Sequence, residues 1–121
     1  MALPFVFSSG FAGDAHLTQG AVGIVSVVGH LAGRQYAEMI AAVGQGNLAR
    51  AIEIHRQLIP VVNAVMHITQ GPIAVKAALH DRGIIASDTL RKPGGALSAQ
   101  ARAEVDYLMV RIARVDPRAR V

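Results

Sequence analysis

The chain has 121 residues, enough for one ordinary domain, and 52% of them are apolar, which excludes a disordered chain. It contains no cysteine, so disulfides, thiolate metal sites and a cysteine nucleophile are excluded. The net charge of +4 is spread along the chain and aromatic residues make up only 4%, which argues against a nucleic-acid partner because stacking side chains are scarce.

No apolar run reaches the roughly 18 residues that a membrane-spanning helix requires. The apolar start, from Met1 to Phe7, is short and has no basic residue before it, so it does not match a signal peptide. We therefore interpret the start as a buried strand and expect a cytoplasmic protein without a membrane partner.

Two short apolar runs predict strands over residues 3–8 and 22–28. Both are rich in β-branched or aromatic residues and do not alternate cleanly, a pattern typical of strands buried on both faces of a parallel sheet. The segment between them is long enough for only a short helix. Because two parallel strands cannot form a stable sheet alone, this part is predicted to come from a larger sheet.

From residue 31 onward the apolar residues follow a helical period. The apolar face of the first long helix comprises Ala32, Tyr36, Met39, Ile40 and Val43, and Gly44 and Gly46 end the helix. Asn47 is predicted to cap the next helix, which Pro60 is expected to kink. The apolar face of this second helix is predicted to comprise Leu48, Ala51, Ile52, His55, Leu58, Ile59 and Val62.

Two further helices follow. Pro72 suits the first residue of a helix that runs to about Gly83, and residues 84–96 are predicted to be irregular. Ser98 is predicted to cap the last helix, which ends at Asp116-Pro117. The apolar face of that helix comprises Ala101, Val105, Leu108, Met109 and Ile112. The chain is thus predicted to be mostly helical, without an internal repeat.

Few residues carry chemistry. Only Lys76 and Lys92 could form an imine with a carbonyl compound, and Lys76 lies among apolar residues, as a desolvated amine would. A structural or interface role is the simpler interpretation of Lys76, and Lys92 is expected to be solvated in a loop. No pair of histidines has the i, i+4 spacing of a helical metal site, so no metal site is predicted.

Four segments, in order and at matching spacings, resemble the C-terminal portion of the dihydrodipicolinate synthase family. Residues 20–30, with Gly-x-x-Gly followed by Ile-Val-Ser-Val, resemble the last barrel strand. Residues 47–60 resemble the first helix of the family's C-terminal domain, residues 71–79 its Pro-Ile-x-x-Lys-x-Ala segment, and residues 87–93 its Arg-x-Pro loop. The resemblance covers residues 4–112.

This resemblance implies an α/β fold, namely the last two strands of a (β/α)8 barrel followed by a small all-helical domain. It places the strands and the final barrel helix in residues 1–45 and the helical domain in residues 46–121. It also implies a homo-oligomer that binds pyruvate and uses no cofactor.

The family's chemistry begins with a lysine on the sixth strand, which forms a Schiff base with pyruvate. A tyrosine relays protons, and an arginine steers aspartate semialdehyde on the path to lysine. All three residues precede the matched region, so the resemblance assigns no catalytic residue here, and the chain alone is expected to be inactive.

Val25 and Gly10 are the two positions that the resemblance carries over to substrate binding. Val25 matches an Ile or Val that contacts bound pyruvate in the family. The alternative interpretation is that Val25 is an ordinary valine of the barrel core. Gly10 either lets the backbone approach a ligand closely or only forms the turn after a strand. The sequence Ser9-Gly10-Phe11-Ala12-Gly13-Asp14 departs from the family's Ser-Gly-Asp-Asp motif. The resemblance therefore does not define the structure of the connection between the two strands.

Two other functions stay open. The chain is either a non-catalytic helical module, whose apolar faces in residues 47–66 and 98–112 mediate self-association, or a piece of a sugar-acid aldolase of the same superfamily. The text Val25-Ser26-Val27 resembles the synthase more than the sialic acid lyases.

Overall fold

A computed structural model of the chain describes residues 5–8, 13–67, 70–91 and 98–115. In chain order the elements are β1 Phe5–Ser8, α1 Gly13–Thr18, β2 Ala21–Val25, α2 Gly29–Gly44, α3 Leu48–His67, α4 Gly71–Asp81 and α5 Ala99–Val115. The predicted order of strands and helices is confirmed. The predicted end of the second strand is wrong: β2 ends at Val25 rather than Val28, because the backbone carbonyl of Ser26 accepts a hydrogen bond from the Gly29 amide and the chain turns into α2.

The two strands pair in parallel, and α1 lies between them in sequence. The register pairs Val6 with Gly23 and Ser8 with Val25, with one irregularity between Phe5 and Val6. Because Ser8 is the last residue of β1 and Val25 the last of β2, both carboxyl ends lie at one edge of the sheet. In open parallel sheets this is the edge where ligands bind.

The core forms where α3 packs against α2, α4 and α5. Its largest fully buried side chains are Met39, Ile54, Leu58, Val28, Val61 and Val65. The predicted face of α2 is confirmed, since Ala32, Tyr36 and Met39 are buried and Ile40 and Val43 pack against the core.

The predicted face of α3 is wrong in part. Ala51, Leu58 and Val62 are buried as expected. Leu48, Ile52 and Ile59, however, are 47%, 44% and 41% exposed, and Ile54, Val61 and Val65 are buried instead. The reason is that α3 carries apolar residues on more than one side, so its period allows several faces, and packing against the neighbouring helices selects one of them.

Local signals define the helix ends as predicted. The Asn47 side chain accepts a hydrogen bond from the Arg50 amide at 3.1 Å, and Ser98 does the same for the Ala101 amide at 3.1 Å. Gly46 and Gly83 follow α2 and α4 with φ of 73° and 69°, and each belongs to a Schellman motif. The helix α3 continues through Pro60, which therefore does not divide it.

Two arginines link neighbouring elements. Arg50 of α3 reaches Glu38 of α2 at 2.5 Å and Glu53 at 2.7 Å. Arg102 of α5 joins Asp81 at the end of α4 to Asp88 in the following loop, at 3.2 Å and 3.0 Å.

No single helix in the described ranges is long and apolar enough to cross a membrane. The pair α3 and α4 meets that criterion only together, and the two helices meet at an angle of 112°.

Candidate functional site

The carboxyl edge of the sheet is where the sequence predicts contact with a ligand. Val25 ends β2 at this edge and is 61% exposed, so its apolar side chain is available to a ligand or to a further strand. Gly10, the other predicted contact, and Lys92 lie outside the described residues. The structure therefore places Val25 at the expected edge, and its contact with a substrate stays a prediction.

Two buried hydroxyl groups lie behind this edge, on Ser26 and Tyr36. Neither forms a hydrogen bond of ordinary geometry with another described residue. Burial raises the pKa of Tyr36 above its ordinary value of 10.0, and the nearby Ser26 hydroxyl opposes that shift. Sequence reasoning treated Tyr36 only as part of an apolar face and missed this pair. The signal that could have revealed the pair was the polar hydroxyl of Tyr36 at a position predicted to lie in the core.

A cleft opens beside Val27, where α4 begins against the turn between β2 and α2. The approach is close, since a Cβ atom on Gly71 would lie 3.2 Å from Val27 Cγ1. The cleft has a volume of about 360 Å³ and a mostly apolar wall. We call it the α4 cleft, and its lining residues are Val27, His30, Pro72, Val75, Lys76, Leu79 and Ile85.

Lys76 projects from α4 into the wall of this cleft. It is half-buried, and its Nζ donates a hydrogen bond to the backbone carbonyl of Thr89. This contact ties α4 to the loop after it, which fits the structural role that the sequence favours for this lysine. Within the described part of the chain, no three His, Asp or Glu side chains gather where they could hold a metal ion.

Comparison with known proteins agrees with the resemblance seen in the sequence. The profile of the Dihydrodipicolinate synthetase family matches residues 5–111. The 4-hydroxy-tetrahydrodipicolinate synthase of Kineococcus radiotolerans is 53% identical over 77 residues, which are 64% of this chain and 25% of that protein. The synthase of Thermosynechococcus vestitus is 39% identical over 115 residues, 88% of this chain and 38% of that protein.

Solved structures give the same result. A crystal structure of dihydrodipicolinate synthase from Thermotoga maritima superposes with a TM-score of 0.79 at 30% identity, covering 88% of this chain and 35% of that one. A monomeric dihydrodipicolinate synthase variant gives 0.77 at 31% identity, covering 86% and 34%. The chain thus spans about a quarter to two fifths of the length of these relatives.

Proposed function

The chain belongs to the dihydrodipicolinate synthetase family, and from this membership we propose that it forms the C-terminal segment of a pyruvate-dependent lyase. The curated relatives are named for the synthesis of 4-hydroxy-tetrahydrodipicolinate, and the family resemblance implies that the substrates are pyruvate and aspartate semialdehyde, on the path to lysine. The observation that carries the proposal is the family match over residues 5–111.

The fold proposed for this segment is the end of a (β/α)8 barrel. We take β1 and β2 as the last two strands, with α2 as the final barrel helix within residues 1–45 and the helical domain in residues 46–121. The parallel pairing of β1 and β2 through a helical connection supports this assignment, because βα units of this kind build such barrels.

The chemistry needs a lysine that the family carries on its sixth strand. An amine that adds to the carbonyl carbon of pyruvate and loses water gives an iminium, which withdraws electrons better than the ketone. The methyl group then loses a proton, and the resulting enamine attacks the aldehyde. Lys76 is a poor candidate for this amine because it lies on α4 rather than on a barrel strand, and its Nζ donates a hydrogen bond to the Thr89 carbonyl.

Val25 and Gly10 are the residues of this chain that we assign to pyruvate binding. The exposure of Val25 at the carboxyl edge supports its part, because barrel enzymes of this architecture place their sites at that end of the strands. An apolar side chain there offers a surface for the pyruvate methyl group. The role of Gly10 rests on the family resemblance alone.

The first test incubates the purified chain with pyruvate and borohydride, which reduces any imine to a stable amine, and weighs the product by mass spectrometry. We expect no adduct, because the Schiff-base lysine belongs to the preceding part of the family's barrel. A stoichiometric adduct on Lys76 or Lys92 contradicts this proposal.

The second test places the chain in a whole enzyme by replacing the matching segment of the Thermotoga maritima synthase. We expect the chimera to trap pyruvate and to accept aspartate semialdehyde rather than a sugar aldehyde, which separates the synthase from a sugar-acid aldolase. Val25→Asp should then raise the KM for pyruvate, whereas Ile84→Asp should not. Ile84 is a matched control because it is equally exposed, at 61%. A folded chimera that traps no pyruvate contradicts the proposal.

A second function, a non-catalytic self-association module, is favoured by one observation. Leu48, Ile52, Ile59 and Met66 are exposed along α3, at 39% or more. This is the kind of apolar stripe that helices bury against a partner. Sedimentation of the chain with and without Ile59→Glu tests this: a discrete oligomer that the substitution dissociates supports the module and a homo-oligomeric assembly.

A further inference from the structure

We propose that the α4 cleft binds a small monocarboxylate with a short branched aliphatic body. The volume of about 360 Å³ falls in the range of roughly 300–1,000 Å³ that small-molecule sites occupy. The inference rests on the cleft itself and not on the proposed lyase reaction.

The apolar part of the wall selects the body of the ligand. Five of the lining side chains are aliphatic or proline: Val27, Pro72, Val75, Leu79 and Ile85. Val27 is 37% exposed and Val75 is largely buried, so the wall reaches from the surface into the core. A branched hydrocarbon that fills this space removes apolar surface from water on both partners.

The charged part of the wall selects the head of the ligand. Among the described residues that line the cleft, only Lys76 and His30 have titratable side chains, and none is Asp or Glu. The nearby carboxylates Asp81 and Asp88 are engaged by Arg102. The Lys76 ammonium uses one of its hydrogens on the neutral Thr89 carbonyl, which leaves further donors and a full positive charge for an anion.

The start of α4 reinforces this preference. Pro72 is in its first turn, which contains neither an acidic residue nor a side-chain cap, so the positive end of this helix dipole lies at the cleft wall. The start of α2 adds little, because Ala32 interrupts that helix after its first turn and the amides of Gly29, His30 and Leu31 already donate to backbone carbonyls. A carboxylate that accepts a hydrogen bond from Lys76 is stabilised by this positive charge. An uncharged amide or alcohol of the same shape gains no such stabilisation.

The experiment titrates the full ¹⁵N-labelled chain with isocaproate and follows the backbone amide resonances by NMR. We expect saturable shifts centred on His30 and on Val75 to Leu79. Isocaproamide, which has the same shape without the charge, and acetate, which lacks the aliphatic body, should each bind at least roughly tenfold more weakly. Shifts spread over the surface, or equal binding of isocaproate and isocaproamide, overturn the proposal.

Two variant pairs test the residues. Lys76→Gln should weaken isocaproate binding at least roughly tenfold, while Arg34→Gln, which removes one exposed charge from α2 outside the cleft, should not. Ile85→Asp should weaken binding similarly, whereas the adjacent Ile84→Asp should not, because Ile84 does not line the cleft. The Ile85 pair leaves the contact between Lys76 and Thr89 intact, so it decides the matter if Lys76→Gln unfolds. Unchanged affinity in Ile85→Asp contradicts the site.

Discussion

Ile52 and Ile54 are separated by one residue on α3, yet Ile54 is 1% exposed and Ile52 is 44% exposed. The two residues are chemically identical and lie on the same helix, so they form a matched pair for measuring how much burial contributes to the free energy of unfolding.

Truncating the buried isoleucine should cost far more stability than truncating the exposed one. We expect Ile54→Ala to lower the free energy of unfolding by about 2–5 kcal/mol, because it removes buried methylene groups and leaves a cavity. Ile52→Ala should cost less than about 1 kcal/mol. Urea unfolding followed by circular dichroism measures both, and equal losses would show that α3 packs on a different face.

The left-handed glycine after α4 should resist substitution. Gly83 has φ of 69° and open space around its Cα, so Gly83→Ala is expected to cost about 1–2 kcal/mol from backbone strain alone. Gly33, which follows the non-helical Ala32 in α2, also has open space but no positive φ, and Gly33→Ala should stabilise the chain by up to roughly 1 kcal/mol. Thermal unfolding of both variants checks the opposite signs. A stabilising Gly83→Ala would contradict the Schellman geometry.

The ion pair between α2 and α3 should contribute little. Arg50 contacts Glu38 through Nε at 2.9 Å and Nη2 at 2.5 Å, but the two side chains are 40% and 53% exposed. A double-mutant cycle of Arg50→Ala and Glu38→Ala should give a coupling free energy below about 1 kcal/mol, and added salt should reduce it. Pairing Arg56→Ala with Glu38→Ala supplies the control, with coupling near zero. A coupling that salt does not change would contradict the solvent-exposed geometry.

Tyr36 should make the chain sensitive to alkali. Its pKa is raised in the folded state by burial, while the unfolded chain releases the same proton near the ordinary value of 10.0. Above that pH the unfolded state binds fewer protons than the folded state, so stability falls as pH rises until Tyr36 ionises in the folded chain as well.

The check compares the wild-type chain with Tyr36→Phe by urea unfolding at neutral pH and above pH 10. The variant should lose less stability over this interval. At neutral pH the substitution should be nearly neutral, because the hydroxyl it removes has no hydrogen bond of ordinary geometry in the described chain. Identical alkaline losses would contradict the burial of the Tyr36 phenol.

The candidate site was accessible to sequence reasoning only in part. The motif around Val25 indicated a strand and a family, since that motif is contiguous, but it did not predict that the strand ends at Val25. Neither the cleft beside Val27 nor the buried pair of Ser26 and Tyr36 could be found in this way. Their members are far apart in the chain or look like ordinary core residues, and no local pattern records which of them meet.

The sequence by itself determined the order of the elements, the ends of α2 and α4, and the starts of α3 and α5. Asn47, Ser98, Gly46 and Gly83 act on backbone groups within a few residues, so their effect does not depend on the rest of the fold. Only the tertiary structure decided which apolar side of α3 is buried and that Lys76 faces a cleft shared with Val27. Those outcomes depend on packing between segments distant in sequence, where several arrangements satisfy the same hydrophobic period and only one fills the core.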